Sequence, residues 1–227
     1  MVSEVKSTGE LTDSFQDFRV ANYLDVDGQY GDITNLVKYN DRLYYLQSTA
    51  FGTVAVNERS LITDNNNAAL LLGTGDVLQR YDYISTFDGN QNTNDYSIVV
   101  SPSSLYWYDS QKHSFNVFNQ GGLNSLSKIK YVQSFFNKLP SNTIVHAGYD
   151  NRYNELWISS DNDKSIIYSE QTQAFVGYYS TPIRMSETFG SFSLALTKDN
   201  KFVRFGEPNE EAALTEANVT FVVNKDI

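Results

Sequence analysis

Pro102-Ser103-Ser104-Leu105-Tyr106-Trp107-Tyr108-Asp109-Ser110-Gln111-Lys112-His113-Ser114-Phe115-Asn116-Val117-Phe118 packs two turns and two aromatic strands into seventeen residues. Ser and Asp bond their own backbone in tight turns, while Tyr, Trp, Phe and Val suit a half-buried pleated surface. The stretch therefore reads as turn, strand, turn, strand. The same turn-plus-strand unit recurs at Asn40-Asp41-Arg42-Leu43-Tyr44-Tyr45, Asn162-Asp163-Lys164-Ser165-Ile166-Ile167 and Lys198-Asp199-Asn200-Lys201-Phe202-Val203. After Ile166-Ile167-Tyr168 a further turn, Ser169–Gln173, leads to a third strand, Phe175-Val176-Gly177-Tyr178-Tyr179. Taken as equivalent, Leu43, Leu105, Ile166 and Phe202 are separated by 62, 61 and 36 residues. Meanders repeating every 40–60 residues, roughly, are the mark of propeller blades with insertions. A β-sandwich also shows many short strands with frequent turns. The expectation is an all-β chain of consecutive antiparallel meanders, arranged as a complete or incomplete β-propeller.

Composition agrees. Of 227 residues, 14% are aromatic, with 16 Tyr and 14 Phe, which favours sheet. The absence of cysteine excludes disulfide frameworks, thiolate zinc sites and cysteine nucleophiles. A net charge of −10 argues against a surface that neutralises many phosphates, so no tight nucleic-acid binding is expected. The longest apolar run, Ala68–Leu72, is far short of a membrane span, and Met1–Ser7 has no apolar core of signal-peptide type.

One segment departs from strand periodicity. Leu126, Ile129, Val132, Phe136 and Leu139 recur at three and four residues, predicting one peripheral amphipathic helix inserted over 125–138, with Ser125 as N-cap and Pro140 as stop. A shorter helical turn is read at Glu210–Ala217 behind Asn209, and Asn218–Val223 alternates like a strand. The chain is expected to be a single β-rich domain over 1–227 with a polar lead-in over 1–31. Its last strand, near Ile227, has no partner to follow, as in a piece of a longer protein.

Constellations for chemistry are sparse. Asp25, Asp27 and Asp32 flank Gly28 and Gly31, and alternating aspartates ahead of a glycine can wrap Ca²⁺. An EF-hand loop, however, needs a bidentate Glu six residues beyond its glycine, where Thr34 stands here. The plainer reading is a turn entering a strand at Ile33–Val37. Asp150 and Glu155 flank Arg152, a pair that glycoside chemistry could use and that a charge-balanced connection explains more economically. His113 and His146 have no metal-ligand spacing, no serine sits in a nucleophile elbow, and Gly73-Thr74-Gly75 lacks the rest of a P-loop. Trp107 and Trp157 among tyrosine-rich strands are the candidates for a glycan-binding face, against a role in packing. No catalytic residue and no cofactor is expected.

Several stretches carry a family resemblance: Leu46-Gln47-Ser48-Thr49-Ala50-Phe51-Gly52-Thr53-Val54-Ala55-Val56-Asn57-Glu58-Arg59, Gly73–Ser85, Leu126-Ser127-Lys128, Val132-Gln133-Ser134, Gly148–Glu155, Tyr168-Ser169-Glu170 and Phe175–Tyr179. Together, from about Phe15 to Val223, the chain resembles the muzzle or stabilisation proteins of crAss-like bacteriophages, large tail proteins of short-tailed phages. The resemblance implies a non-enzymatic virion structural protein of the tail, similar to nozzle proteins whose β-propellers ring the DNA exit channel. It also implies partners among other tail proteins and copies of itself in a homo-oligomeric ring, with no membrane partner. The competing readings are a carbohydrate-binding, lectin-like propeller and a glycoside-active propeller enzyme.

Overall fold

The computed structural model describes residues 1–3, 14–20, 22–56, 60–63, 69–72, 78–91, 96–160, 165–179, 183–189, 192–197 and 199–205. Two compact units divide the chain, Met1–Gly89 and Asn90–Ile227.

In the first unit, β1 (Ile33–Tyr39), β2 (Arg42–Gln47), β3 (Phe51–Val56) and β6 (Leu78–Ser85) form a four-stranded antiparallel sheet in the order β1-β2-β3-β6. Between β3 and β6 the chain makes a separate hairpin, β4 (Ser60–Thr63) with β5 (Ala69–Leu72). The β1–β2 turn is the expected one: Asn40 and Asp41 sit at φ +47° and +57°, the left-handed pair that a two-residue hairpin loop requires. Gly52 pairs with Tyr45, and a Cβ on Gly52 would strike the Tyr45 ring, so the strand carries glycine where a ring crosses it. Tyr45 meets Tyr83 and Tyr81 edge-on, with ring centroids 5.9 and 6.3 Å apart.

The second unit holds three successive antiparallel sheets. β7 (Val99–Val100), β8 (Leu105–Asp109), β9 (Ser114–Asn119) and β10 (Gly122–Ser125) form the first. The next contains β11 (Val145–Asp150), β12 (Glu155–Ser160), β13 (Ser165–Ser169) and β14 (Ala174–Tyr179). β15 (Ile183–Phe189), β16 (Phe192–Thr197) and β17 (Phe202–Phe205) form the last. All the pairings are antiparallel between neighbours in sequence, as the meander reading requires.

The middle sheet buries both faces, following the two-residue period of a strand. Leu156, Ile158, Ile166 and Tyr168 face a large core shared with Val99, Tyr106, Tyr108, Phe115 and Val117 of the preceding sheet. The intervening residues Trp157 and Ile167 face the other way, against Ile183 and Ala195 of the following sheet. At the first-strand level, a Cβ on Gly148 of β11 would collide with the Ser186 Oγ of β15, so these two strands approach at the limit glycine allows.

Two expectations need correction. Leu43 and Leu105 do occupy the second strands of their sheets, whereas Ile166 and Phe202 lie in third strands, β13 and β17. The turn-plus-aromatic signature marks any hairpin of a meander, not one fixed place in it. The long first interval reflects the β4–β5 hairpin inserted between β3 and β6.

The expected helix over 125–138 is two single turns, α1 (Leu126–Ile129) and α2 (Gln133–Phe136). The break falls at Tyr131, whose φ of +60° no helix can contain. Gln133 explains the fold-back: it accepts from Ser127 Oγ at 2.6 Å and donates to the His113 carbonyl at 2.7 Å and to Asn137 Oδ1 at 2.8 Å. Residues six apart lie on different faces of a continuous helix and could not make the first of these bonds. Leu126, Phe136 and Leu139 reach the core as expected, while Ile129 is left 50% exposed. Ser125 holds the N-cap position, but its hydroxyl bonds Ser114 and Ser127 instead of the helix backbone. The segments read at 210–217 and 218–223, and the glycines at 73 and 75, lie outside the described residues.

Candidate functional site

Among the described residues, a dense polar constellation centres on Glu170, in the turn between β13 and β14. Its Oε1 accepts from Ser101 Oγ at 2.6 Å, Tyr106 OH at 2.6 Å and Ser103 Oγ at 2.8 Å, and its Oε2 accepts from Tyr149 OH at 2.7 Å. The turn delivers Glu170 because Gln173, at φ +52°, closes it and the Glu170 N–H donates to the Asn154 carbonyl. On the other side, the Ser101 N–H donates to the Ser104 carbonyl, a tight turn that aims both Ser101 and Ser103 at the carboxylate.

Burial pushes the Glu170 carboxyl up, but the bonds from Ser101, Tyr106, Tyr149 and Ser103 outweigh it and hold the group below its ordinary value. Burial, and then donation to Glu170, pushes the phenols of Tyr106 and Tyr149 up. Four hydroxyl donors, three on Oε1 and one on Oε2, hold this carboxylate as an acceptor within the fold. Chemically it is a rivet between the β7–β10 and β11–β14 sheets. Sequence reasoning missed it, since nothing distinguishes Glu170 from a solvated turn glutamate and its donors lie 21 to 69 residues away.

The Asp150–Glu155 pair is real in register: the two residues face each other at the end of β11 and the start of β12. Asp150 is 1% exposed and is gripped by Arg152, whose Nε donates at 2.9 Å to Oδ1 while a terminal nitrogen reaches Oδ2 at 2.5 Å. The Arg152 backbone N–H donates to the same Oδ1 at 2.9 Å. Burial pushes the Glu155 carboxyl up; the Trp157 indole N–H opposes this, the Asp150 charge adds to it and Arg152 opposes it. One acid is thus tied into an ion pair, and the arrangement balances charge.

Asp27 caps the short 3-10 turn Gly28–Tyr30, its Oδ1 accepting from the Gln29 N–H. Gln47 Nε2 donates to the carbonyls of Asp27 at 2.9 Å and Gly31 at 2.6 Å, tying this turn to the end of β2. Asp25, Asp27 and Asp32 are all exposed, and no group of three or more acidic or histidine side chains among the described residues is placed to hold a metal. Trp107 and Trp157 are 0% and 3% exposed, so neither ring presents a face to a sugar. His113 sits in the β8–β9 turn at φ +49°, and His146 lies in β11, stacked on Tyr96.

The first strands β7, β11 and β15 border one further feature, a cleft of about 190 Å³ lined by Val99, Ala147, Gly148, Asn151, Ser186 and Glu187 among others. No helix among the described residues is long and apolar enough to cross a membrane.

These elements define an all-β protein of antiparallel meanders, with buried polar groups joining successive sheets of its second unit. The chain belongs to the Crassvirus muzzle protein family, whose model matches residues 1–194. It is 28% identical over 207 residues to the "Muzzle protein" of Bacteroides phage crAss001, an alignment that covers 84% of this chain and 15% of that relative. The chain therefore spans a small part of the length of the curated relative it matches.

Proposed function

We propose that this chain is a structural segment of the tail of a crAss-like phage virion, part of the muzzle around the DNA exit channel. Membership of the muzzle family over residues 1–194 carries the reading. The geometry supports it: the first strands β7, β11 and β15 border a common cleft while successive sheets pack face to face, as consecutive blades of a β-propeller do. In this reading the full-length protein assembles with other tail proteins and with copies of itself into a ring. The segment is not an enzyme, because its two best-placed carboxyls, Asp150 and Glu170, are committed to Arg152 and to four hydroxyls. It needs no metal and does not grip DNA, since a chain of net charge −10 offers little to neutralise phosphates.

The test is electron microscopy of intact virions labelled with gold-conjugated antibody against this chain. Label at the distal end of the tail is expected; label on the capsid, or none on virions that contain the protein by immunoblot, overturns the placement. A reconstruction in which β7, β11 and β15 do not surround a common axis removes the propeller and leaves the meanders.

A further inference from the structure

Between the α1–α2 segment and β14 opens a groove of about 430 Å³, within the range of about 300–1,000 Å³ usual for binding sites. Phe135, Phe175 and Tyr178 line it and are half-buried against the core, while Ile129 and Tyr131 stand out at 50% and 84% exposure. Tyr131 combines that exposure with a φ of +60°, a backbone state unfavourable for a bulky side chain. Exposed tyrosine beside an apolar recess is a common anchor of protein interfaces. β14 is the last strand of its sheet, hydrogen-bonded to β13 on one side, and the bulge at Val176 re-aims it so that Phe175, Gly177 and Tyr178 all border the groove.

The charge pattern indicates the occupant. Residues 110–149 contain Lys112, Lys128, Lys130 and Lys138 and no Asp or Glu, while all 27 acids lie elsewhere among the other 13 basic residues. Three of these lysines sit on or beside α1 and α2, with Lys130 in the groove wall and no carboxylate in the lining. We infer that the groove takes an extended, acidic segment of another protein, with apolar side chains alternating along it, which adds as a strand to β14. The added backbone bonds along β14, the apolar side chains enter the recess beside Phe135 and Tyr178, and the acids meet the lysines. Single-stranded nucleic acid fits less well. Phe135 is already engaged edge-on by Phe136 and tilted against Tyr178, and stacking on bases needs free ring faces. The inference does not depend on where the chain sits in a virion.

The experiment is fluorescence anisotropy of the whole chain with a labelled peptide alternating Glu and Val, beside a Lys/Val peptide and oligothymidine. The Glu/Val peptide should bind with a Kd on the order of 10–100 µM and weaken about tenfold in Tyr131→Ala and in Lys130→Glu, both at surface positions. Hydrogen exchange should show new protection at the β14 amides on adding it, a readout that needs no variant. Equal binding of the Lys/Val peptide, tighter binding of oligothymidine or unchanged exchange in β14 would overturn the proposal. So would a self-association that Lys130→Glu abolishes, which would give the groove to a second copy.

Discussion

The middle sheet of the second unit is joined to its two neighbours in different ways. Towards β7–β10 the seam is apolar and aromatic: Tyr106 of β8 meets Tyr168 of β13 with ring centroids 6.4 Å apart, within a cluster of fourteen buried side chains among the described residues that also holds Phe136. Towards β15–β17 the buried set is only Trp157, Ile167, Ile183 and Ala195 among the described residues, and directional bonds carry a larger share. Thr188 Oγ1 donates to the Tyr149 carbonyl at 2.9 Å, Ser159 Oγ donates to the Ile183 carbonyl, and Arg152 reaches Ser193 Oγ at 3.4 Å. Burying one large apolar side chain is worth about 1.5–3 kcal/mol, against about 1 kcal/mol net for a hydrogen bond. The first seam thus adds a large apolar area to the bonds on Glu170, whereas the second rests on a small apolar set and scattered directional bonds.

The largest effect should come from the aromatic seam. Phe136→Ala is expected to cost about 3–5 kcal/mol in urea unfolding, against about 2–3 kcal/mol for Ile183→Ala across the thinner seam. Equal losses would break the comparison. Next, Arg152→Ala leaves Asp150 buried without its cation and should cost about 2–4 kcal/mol, with Arg152→Lys recovering part of it, as measured by thermal and chemical denaturation.

Glu170→Gln turns one acceptor into a donor facing hydroxyls, and a loss of about 2 kcal/mol at neutral pH is expected. Because the Glu170 carboxyl is depressed in the folded state, its contribution is present above its unfolded value and disappears as pH falls through the folded one. Acidification should therefore destabilise the parent more than Glu170→Gln, and parallel stability curves would remove the rivet. The smallest effect is at Glu155, whose carboxyl is raised in the folded state: its ionisation opposes folding increasingly as pH rises through the folded value. Glu155→Gln should change stability by no more than about 0.5 kcal/mol at neutral pH, in the stabilising direction. A loss above that would show that the Trp157–Glu155 contact matters more than the desolvation.

The meanders were legible because each hairpin writes its turn locally. Asn40-Asp41 and Asn200 take the positive φ that their residue types tolerate, and Tyr106-Trp107-Tyr108 is wholly buried, as its composition suggests. The break at Tyr131 was not legible, since the apolar spacing continues across it and the cause is a bond between Ser127 and Gln133 that helical periodicity does not encode. Glu170 was equally hidden, because its four donors come from strands and turns that only the stacking of sheets brings together. The turn at Asp25–Asp32 was legible from its aspartates and glycines, and Asp27 caps it, but Gln47 reaching it from the end of β2 was not.

Gly148 sets a mechanical tolerance. With Ser186 already at the position a Cβ would claim, the gap between β11 and β15 is gauged by a single hydrogen atom, and one added methyl would act as a shim between the sheets. Because β11 and β15 each carry a whole sheet, a small wedge at this one contact would shift β15–β17 as a body against β11–β14. A residue with no side chain thus sets how closely two sheets of the second unit can meet.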